Sequence, residues 1–314
     1  MRKKWLNSIL KALLLLVGIT FLSFLLTYYS PGDPASIALK KSGMMVSEEA
    51  LQVKRKEMGL DQPMLVQYAA WLKNVAKGNL GTSYKTGRPV LEEFKKTIPA
   101  TMLLTLVSML LTILISTPLG ILCAKYKDGL IDNLMRAITY VFASIPSFFL
   151  ALIMMYFFSL KLGWFPVIGN LSLKGIVMPA LVLSLTLSAW YIRQVRSIVL
   201  QELDRGYVMG LQSRGIPEWK ILFGHVLKNC MFPLITLFGI SFGVMLGGST
   251  IVETIFSWPG IGKLAVTSIS ARDYPVIQAY VVWMAVIYLI INTLVEWISQ
   301  IMDPRIRKRL QESK

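Results

Sequence analysis

His225, Cys123 and Cys230 are the only histidine and cysteines in the chain, the side chains that most readily bind transition metals or act as nucleophiles near neutral pH. No group of His, Cys, Asp or Glu has metal-ligand spacing. The nearest approach to a phosphate-binding loop is Pro259-Gly260-Ile261-Gly262-Lys263-Leu264. It lacks both the long gap before the Gly-Lys pair and the Ser or Thr after it. The chain is therefore expected to hold no catalytic, metal or cofactor site of its own. His225 reads as a structural residue making a polar contact inside a loop.

The elements around these residues belong to a membrane. Of 314 residues, 54% are hydrophobic and only 16% charged, where soluble domains carry about 25% charged residues. Several apolar runs reach the ~20 residues that cross a bilayer. The reading is all-α, with six transmembrane helices over 9–29, 99–123, 137–160, 177–192, 232–252 and 276–302. The first run follows Arg2, Lys3 and Lys4 and lacks a small-residue cleavage site, so it is read as an uncleaved span. Pro146 falls inside the third span and should kink it.

Charge sets the orientation. Segments 1–8, 124–136, 193–231 and 303–314 carry three, three, six and five basic residues, against two each in the short segments 161–175 and 254–275; the long segment 31–97 carries eleven, but long segments count little toward orientation. The positive-inside rule then places both termini in the cytoplasm, and much of the +16 net charge follows from these loops rather than from nucleic-acid binding. Cys123 and Cys230 fall near the same cytoplasmic face, which argues against a structural disulfide. The organisation is a tip and first span over 1–30 and an extracytoplasmic cap over 31–97. A helical membrane core covers 98–302, and a cytoplasmic tail covers 303–314. Within the cap, Ser47-Glu48-Glu49-Ala50 starts one helix and 63–75 offers a second, with Leu65, Tyr68, Trp71 and Leu72 on its apolar face.

The spans carry almost no charge, with Glu253 and Glu296 close to helix ends. A proton-coupled carrier, the competing class of transporter, needs buried carboxylates, histidines or charge pairs near the midplane. Energy is therefore expected from a separate motor; a non-transporting scaffold is the third class. Gly239, Gly243 and Gly247 recur every four residues in the fifth span, a ridge that permits close helix approach, either within this chain or against a second subunit. Trp164, Phe165, Trp258 and Trp283 read as interfacial anchors.

Segment 203–233 is the long polar insertion between the fourth and fifth spans. It reads as two short helices broken at Gly215, a residue suited to a positive φ. Ile216-Pro217-Glu218 opens the second helix. Trp219, Leu222, Phe223, Val226 and Leu227 follow near i, i+3, i+4 spacing. The two readings are a surface hairpin over helix ends and a docking element.

Several stretches together resemble a known family. They are Pro31-Gly32-Asp33-Pro34, Gly59-Leu60-Asp61-Gln62-Pro63, Gly78-Asn79-Leu80-Gly81-Thr82-Ser83 and the run from Glu253 to Gly262. Arg272-Asp273-Tyr274-Pro275 and the closing Asp303-Pro304-Arg305-Ile306-Arg307 complete the set. Over essentially the whole chain the sequence is similar to the inner-membrane permease subunits of binding-protein-dependent ABC importers for peptides and nickel. The resemblance implies a type I importer permease fold, MetI-like. It also implies a second homologous permease, two ABC ATPase subunits that bind the ATP, and an extracytoplasmic binding protein, all in a bacterial or archaeal plasma membrane. Segment 203–233 then resembles the family's cytoplasmic EAA loop, implying that Tyr207, Leu211, Gly215, Trp219, Leu222, Phe223, His225 and Asn229 serve ATPase docking. Gly206 and Met209 depart from the acid and arginine common there. The implied cargo is a nickel chelate or a short peptide, with a slight lean to nickel.

Overall fold

The computed structural model describes residues 2–41 and 47–302, with side chains described for 10–39 and 47–298. The Asp303-to-Arg307 motif and the tail lie outside the described residues. Thirteen α-helices make up the described chain, and among the described residues the only β-type pairing is the isolated bridge of Thr82 with Pro89. Among the described residues, five helices are long and apolar enough to cross a membrane, or six if a bent pair counts as one span. The described residues divide into two compact units, one within 1–99 and 260–289, the other within 100–259 and 290–314.

In the first unit, α1 (Arg2–Tyr28) runs into the turn at Ser30 to Asp33, and α2 (Pro34–Lys41), α3 (Glu48–Glu57) and α4 (Met64–Ala76) follow. Ser47 caps α3, its hydroxyl accepting from the Ala50 amide. α4 is held against α1 by aromatic packing of Tyr68 on Phe21 and Phe24 and by a hydrogen bond shared between Tyr68 and Thr20. The start of α5 (Val90–Lys125) buries Val90 and Phe94 against Ile261, Val276 and Ala279.

Asp273 ties this unit together. It is 1% exposed, and its carboxylate accepts from the Ser83 hydroxyl and from the Tyr84 and Lys85 amides at 2.9 and 3.1 Å. Arg272 before it holds a positive φ of 56° at the end of α12 (Ile261–Ser270), and Tyr274 after it opens α13 (Tyr274–Met302). Burial, then the charges of Asp273 and Tyr274, push the Tyr84 phenol up to about 12. Thus three of the quoted sequence stretches meet: Gly32 lies so close to Arg272 that a Cβ there would meet its guanidinium at 2.7 Å, and Gly81 faces Pro275.

The second unit holds the remainder of α5, then α6 (Leu130–Ser144), α7 (Ser147–Met154, continuing in π-helical form over Met155–Lys161) and α8 (Leu173–Leu203). α9 (Gly206–Ser213), α10 (Glu218–Ile221) and α11 (Leu227–Ile255) follow, the last two joined by a π-helical turn at Leu222–Val226. The third span departs from expectation. Instead of one kinked helix over 137–160, α6 begins at Leu130, and α6 and the α7 segment are bent by 97°. Ile145 and Pro146 take extended ψ angles of 121° and 139°, so the helical hydrogen-bond ladder stops there rather than bending. α5 and α8 also overrun the expected spans: α5 starts at Val90, and α8 carries Arg193 and Arg196 inside the helix.

Two buried clusters fill this unit, one around Leu104, Val182 and Trp258, the other around Tyr191, Val195 and Val226. Trp258, expected as an interfacial anchor, is instead fully buried and donates its indole N–H to the Ala100 carbonyl at 3.0 Å. Ser257 at φ 53° turns the chain so that the ring points inward. Phe165 and Trp283 are half-buried against the cores of their own units, and of the four aromatics Trp164 alone stands exposed.

Candidate functional site

The loop between α8 and α11 is built on a braced base. Glu202, the penultimate residue of α8, is 6% exposed. Its Oε1 accepts from the Tyr207 hydroxyl of α9 at 2.9 Å and from the Asn229 amide of α11 at 2.9 Å, and Asn229 also donates to the Tyr207 oxygen at 3.1 Å. Its Oε2 pairs with Arg205 Nε at 2.9 Å. One carboxylate thereby closes the loop on both sides. Burial, then the hydrogen bond to Glu202, hold the Tyr207 phenol above its ordinary value, while Asn229 opposes them, so the phenol stays a donor.

Gly215 is the turn. It sits at φ 72°, the Gly215 amide donates to Gln212 and the Ile216 amide to Leu211, the paired bonds of a Schellman cap. Pro217 caps α10, one position before the helix. The following π-helical turn adds a residue to the repeat, which splits the expected stripe. Ile221, Leu222 and Val226 face inward. Trp219 and Phe223 are turned out, 59% and 62% exposed, and Met209 of α9 is 70% exposed. The residues read as docking surface therefore separate into three groups. Leu222 packs in the core and Leu211 is half-buried against it; Tyr207 and Asn229 form the base; Gly215, Trp219, Phe223 and His225 lie on the exposed side. His225 is exposed rather than an internal contact, and Asn229 one helical turn later fills the bracing role.

Two further carboxylates of this unit are buried: Asp132, which the sequence reading did not single out, and Glu253, which it set close to a helix end. Asp132 in the first turn of α6 is 0% exposed and takes Arg196 of α8 in a bidentate pair at 2.7 and 2.6 Å. It was hidden because α6 starts seven residues before the expected span. Glu253 is also 0% exposed, accepting from the Thr101 hydroxyl at 2.7 Å and from Ser249 at 3.1 Å.

The expected glycine ridge is placed unevenly. A Cβ on Gly239 would lie 2.5 Å from a methyl of Val295, a close approach within the chain. Gly243 is buried and Gly247 half-buried. A second small-residue ridge went unread: Thr101, Thr105, Ser108, Thr112 and Ser116 of α5 are all 0% exposed. It continues to Gly120, where a Cβ would meet Val195 at 2.6 Å and the Ile192 carbonyl at 2.9 Å. Its i, i+4, i+7, i+11 spacing was available in the sequence, but hydroxyls lower hydropathy and do not register as packing.

Comparison with known proteins accounts for this architecture. Residues 1–105 match the N-terminal domain of binding-protein-dependent transport system membrane components, and residues 116–308 match the inner membrane component family. The chain is 37% identical over 303 residues to the oligopeptide transport system permease protein AppB of Bacillus subtilis, covering 93% of this chain and 95% of that protein. It is 35% identical over 306 residues to the glutathione transport system permease protein GsiC of Salmonella typhimurium, covering 96% and 99%. Among solved structures, the inward-facing MetNI methionine ABC transporter aligns with a TM-score of 0.58 and 20% identity, over 68% of this chain and 97% of that chain, a likeness of fold. Helical spans, a braced loop and matches over nearly the whole length thus agree: the chain belongs to the binding-protein-dependent transport system inner membrane components, the multi-pass permeases of ABC importers.

Proposed function

We propose that this chain is one half of the translocation pore of an ATP-driven importer of short peptides. A second homologous permease forms the other half. The observation that carries the reading is the exposed apolar group Met209, Trp219 and Phe223, standing on a loop whose base is fixed by Glu202. Large exposed apolar side chains on a rigid, non-membrane hairpin suit a protein partner. Two ATPase subunits dock there, bind the nucleotide and supply the energy. Both termini and the hairpin lie in the cytoplasm, and a binding protein delivers cargo to the opposite face. The chain itself binds no cofactor and catalyses no reaction. AppB and GsiC are named for oligopeptides and glutathione, which favours a peptide over a nickel chelate.

Aromatic anchors at interface centres contribute about 2–4 kcal/mol each. Trp219→Ala with Phe223→Ala is therefore expected to lower ATPase co-purification more than tenfold and to abolish ATP-driven uptake of a labelled short peptide into proteoliposomes. Undiminished co-purification contradicts the docking assignment. Uptake that needs a proton gradient and survives without ATP contradicts the importer itself and restores the proton-coupled alternative.

A further inference from the structure

Asp132 has two arginines within reach and uses one fully. Arg196, from α8, makes the bidentate pair. Arg136, one turn along α6 itself, holds its Nε 3.8 Å from Asp132 Oδ2, and that Nε is buried without a hydrogen bond among the described residues. Asp128 at the α6 entrance stands 3.6 Å from Arg136 and 3.9 Å from Arg196, and its amide donates to Asp132. A carboxylate buried this completely is costly to leave without a partner. A contact between α6 and α8 that opens during transport must therefore hand Asp132 a substitute cation, and Arg136 is already beside it.

The lever arm is present too. α8 runs without interruption from the Arg196 contact to Glu202, the residue that fixes the docking hairpin. α6 is the first arm of the bent third span, and Asp132 lies in its first turn. We propose that Asp132, Arg196 and Arg136 form a releasable latch: Asp132 holds α8 through Arg196 in the state seen here, and exchanges it for Arg136 when the hairpin displaces α8. The latch transmits hairpin movement to the bent span. These three are positioning residues, and the proposal rests on the ATP-driven reading above.

Arg136→Gln tests it without disturbing the Asp132–Arg196 pair. In the complete complex reconstituted in proteoliposomes, this variant is expected to keep basal ATP hydrolysis and lose at least tenfold in peptide taken up per ATP hydrolysed. Asp132→Asn with Arg196→Met removes both charges of the closed latch and leaves no buried charge unpaired. It is expected to hydrolyse ATP without the binding protein while uptake is lost. Wild-type uptake per ATP in either variant overturns the latch, since a merely structural ion pair changes yield and melting temperature but not that ratio. A wild-type complex without ATP-dependent uptake overturns the importer reading, and the latch with it.

Discussion

Gly215 sits at φ 72°, and beyond its two chain neighbours nothing lies within 4 Å of the place a Cβ would occupy, so the constraint there is conformational rather than steric. A β-branched residue in that region costs about 1–2 kcal/mol, while Asn tolerates it. Gly215→Val is expected to raise amide exchange over 211–216 about 5- to 30-fold, and Gly215→Asn to stay within a few-fold of wild type. Tyr84 makes a second residue-scale prediction. Its phenol ionises near pH 12 instead of 10, so the neutral form is favoured by folding. The stabilisation it brings is complete below about pH 10 and is lost as pH rises from there through 12. In tyrosinate absorbance titrations, the difference between wild type and Tyr84→Phe should centre near pH 12; a difference centred at 10 would contradict the burial of that ring.

At the scale of elements, the contact of α5 with α8 depends on the ridge ending at Gly120. A Cβ there meets the backbone carbonyl of Ile192 as well as Val195, and the backbone cannot step aside as a flexible side chain can. Gly120→Val should cost about 1–3 kcal/mol by overpacking and lower the melting temperature. Gly18→Val on α1, where nothing lies within 4 Å, should leave it unchanged. Legibility followed the same physics. Long apolar runs announced the spans, and Gly215 with Ile216-Pro217 announced the hairpin, because hydropathy and turn chemistry are local properties. Pro146 marked the place of the break but not its size, whereas the inward turn of Trp258 and the Asp132–Arg196 pair depend on what lies opposite in space. A π-helical turn also defeats any count made at 3.6 residues, which is why Leu222 and Phe223 were assigned to one face and occupy two. The binding-protein-dependent family was legible from its motifs, while Glu202, the residue that braces the hairpin, carried no signal beyond being an acid near a helix end.

For the molecule as a whole, Asp273 shows how distant stretches serve one unit. Its carboxylate receives three hydrogen bonds from Ser83, Tyr84 and Lys85, and bonds to a charged acceptor contribute about 1.5–3 kcal/mol each. Asp273→Ala should open the 83–89 turn to proteolysis, and an unchanged cleavage pattern would show that the turn holds itself. The same tie has a temporal consequence. Ser83 and Asp273 are separated by 190 positions, and Thr27 waits still longer for Gln278, 251 positions away. At a synthesis rate of ~5–20 residues per second, the ribosome needs about 10–40 s to pass from the first of these partners to the second. During that interval all of residues 100–259 emerge, so the first unit begins its life incomplete. Its exposed leucines on α1 and its unpaired turn at 83–89 are then substrates for lipid, insertase or chaperone, and a ribosome stalled before residue 273 should leave the cap region protease-sensitive however well the intervening helices have inserted.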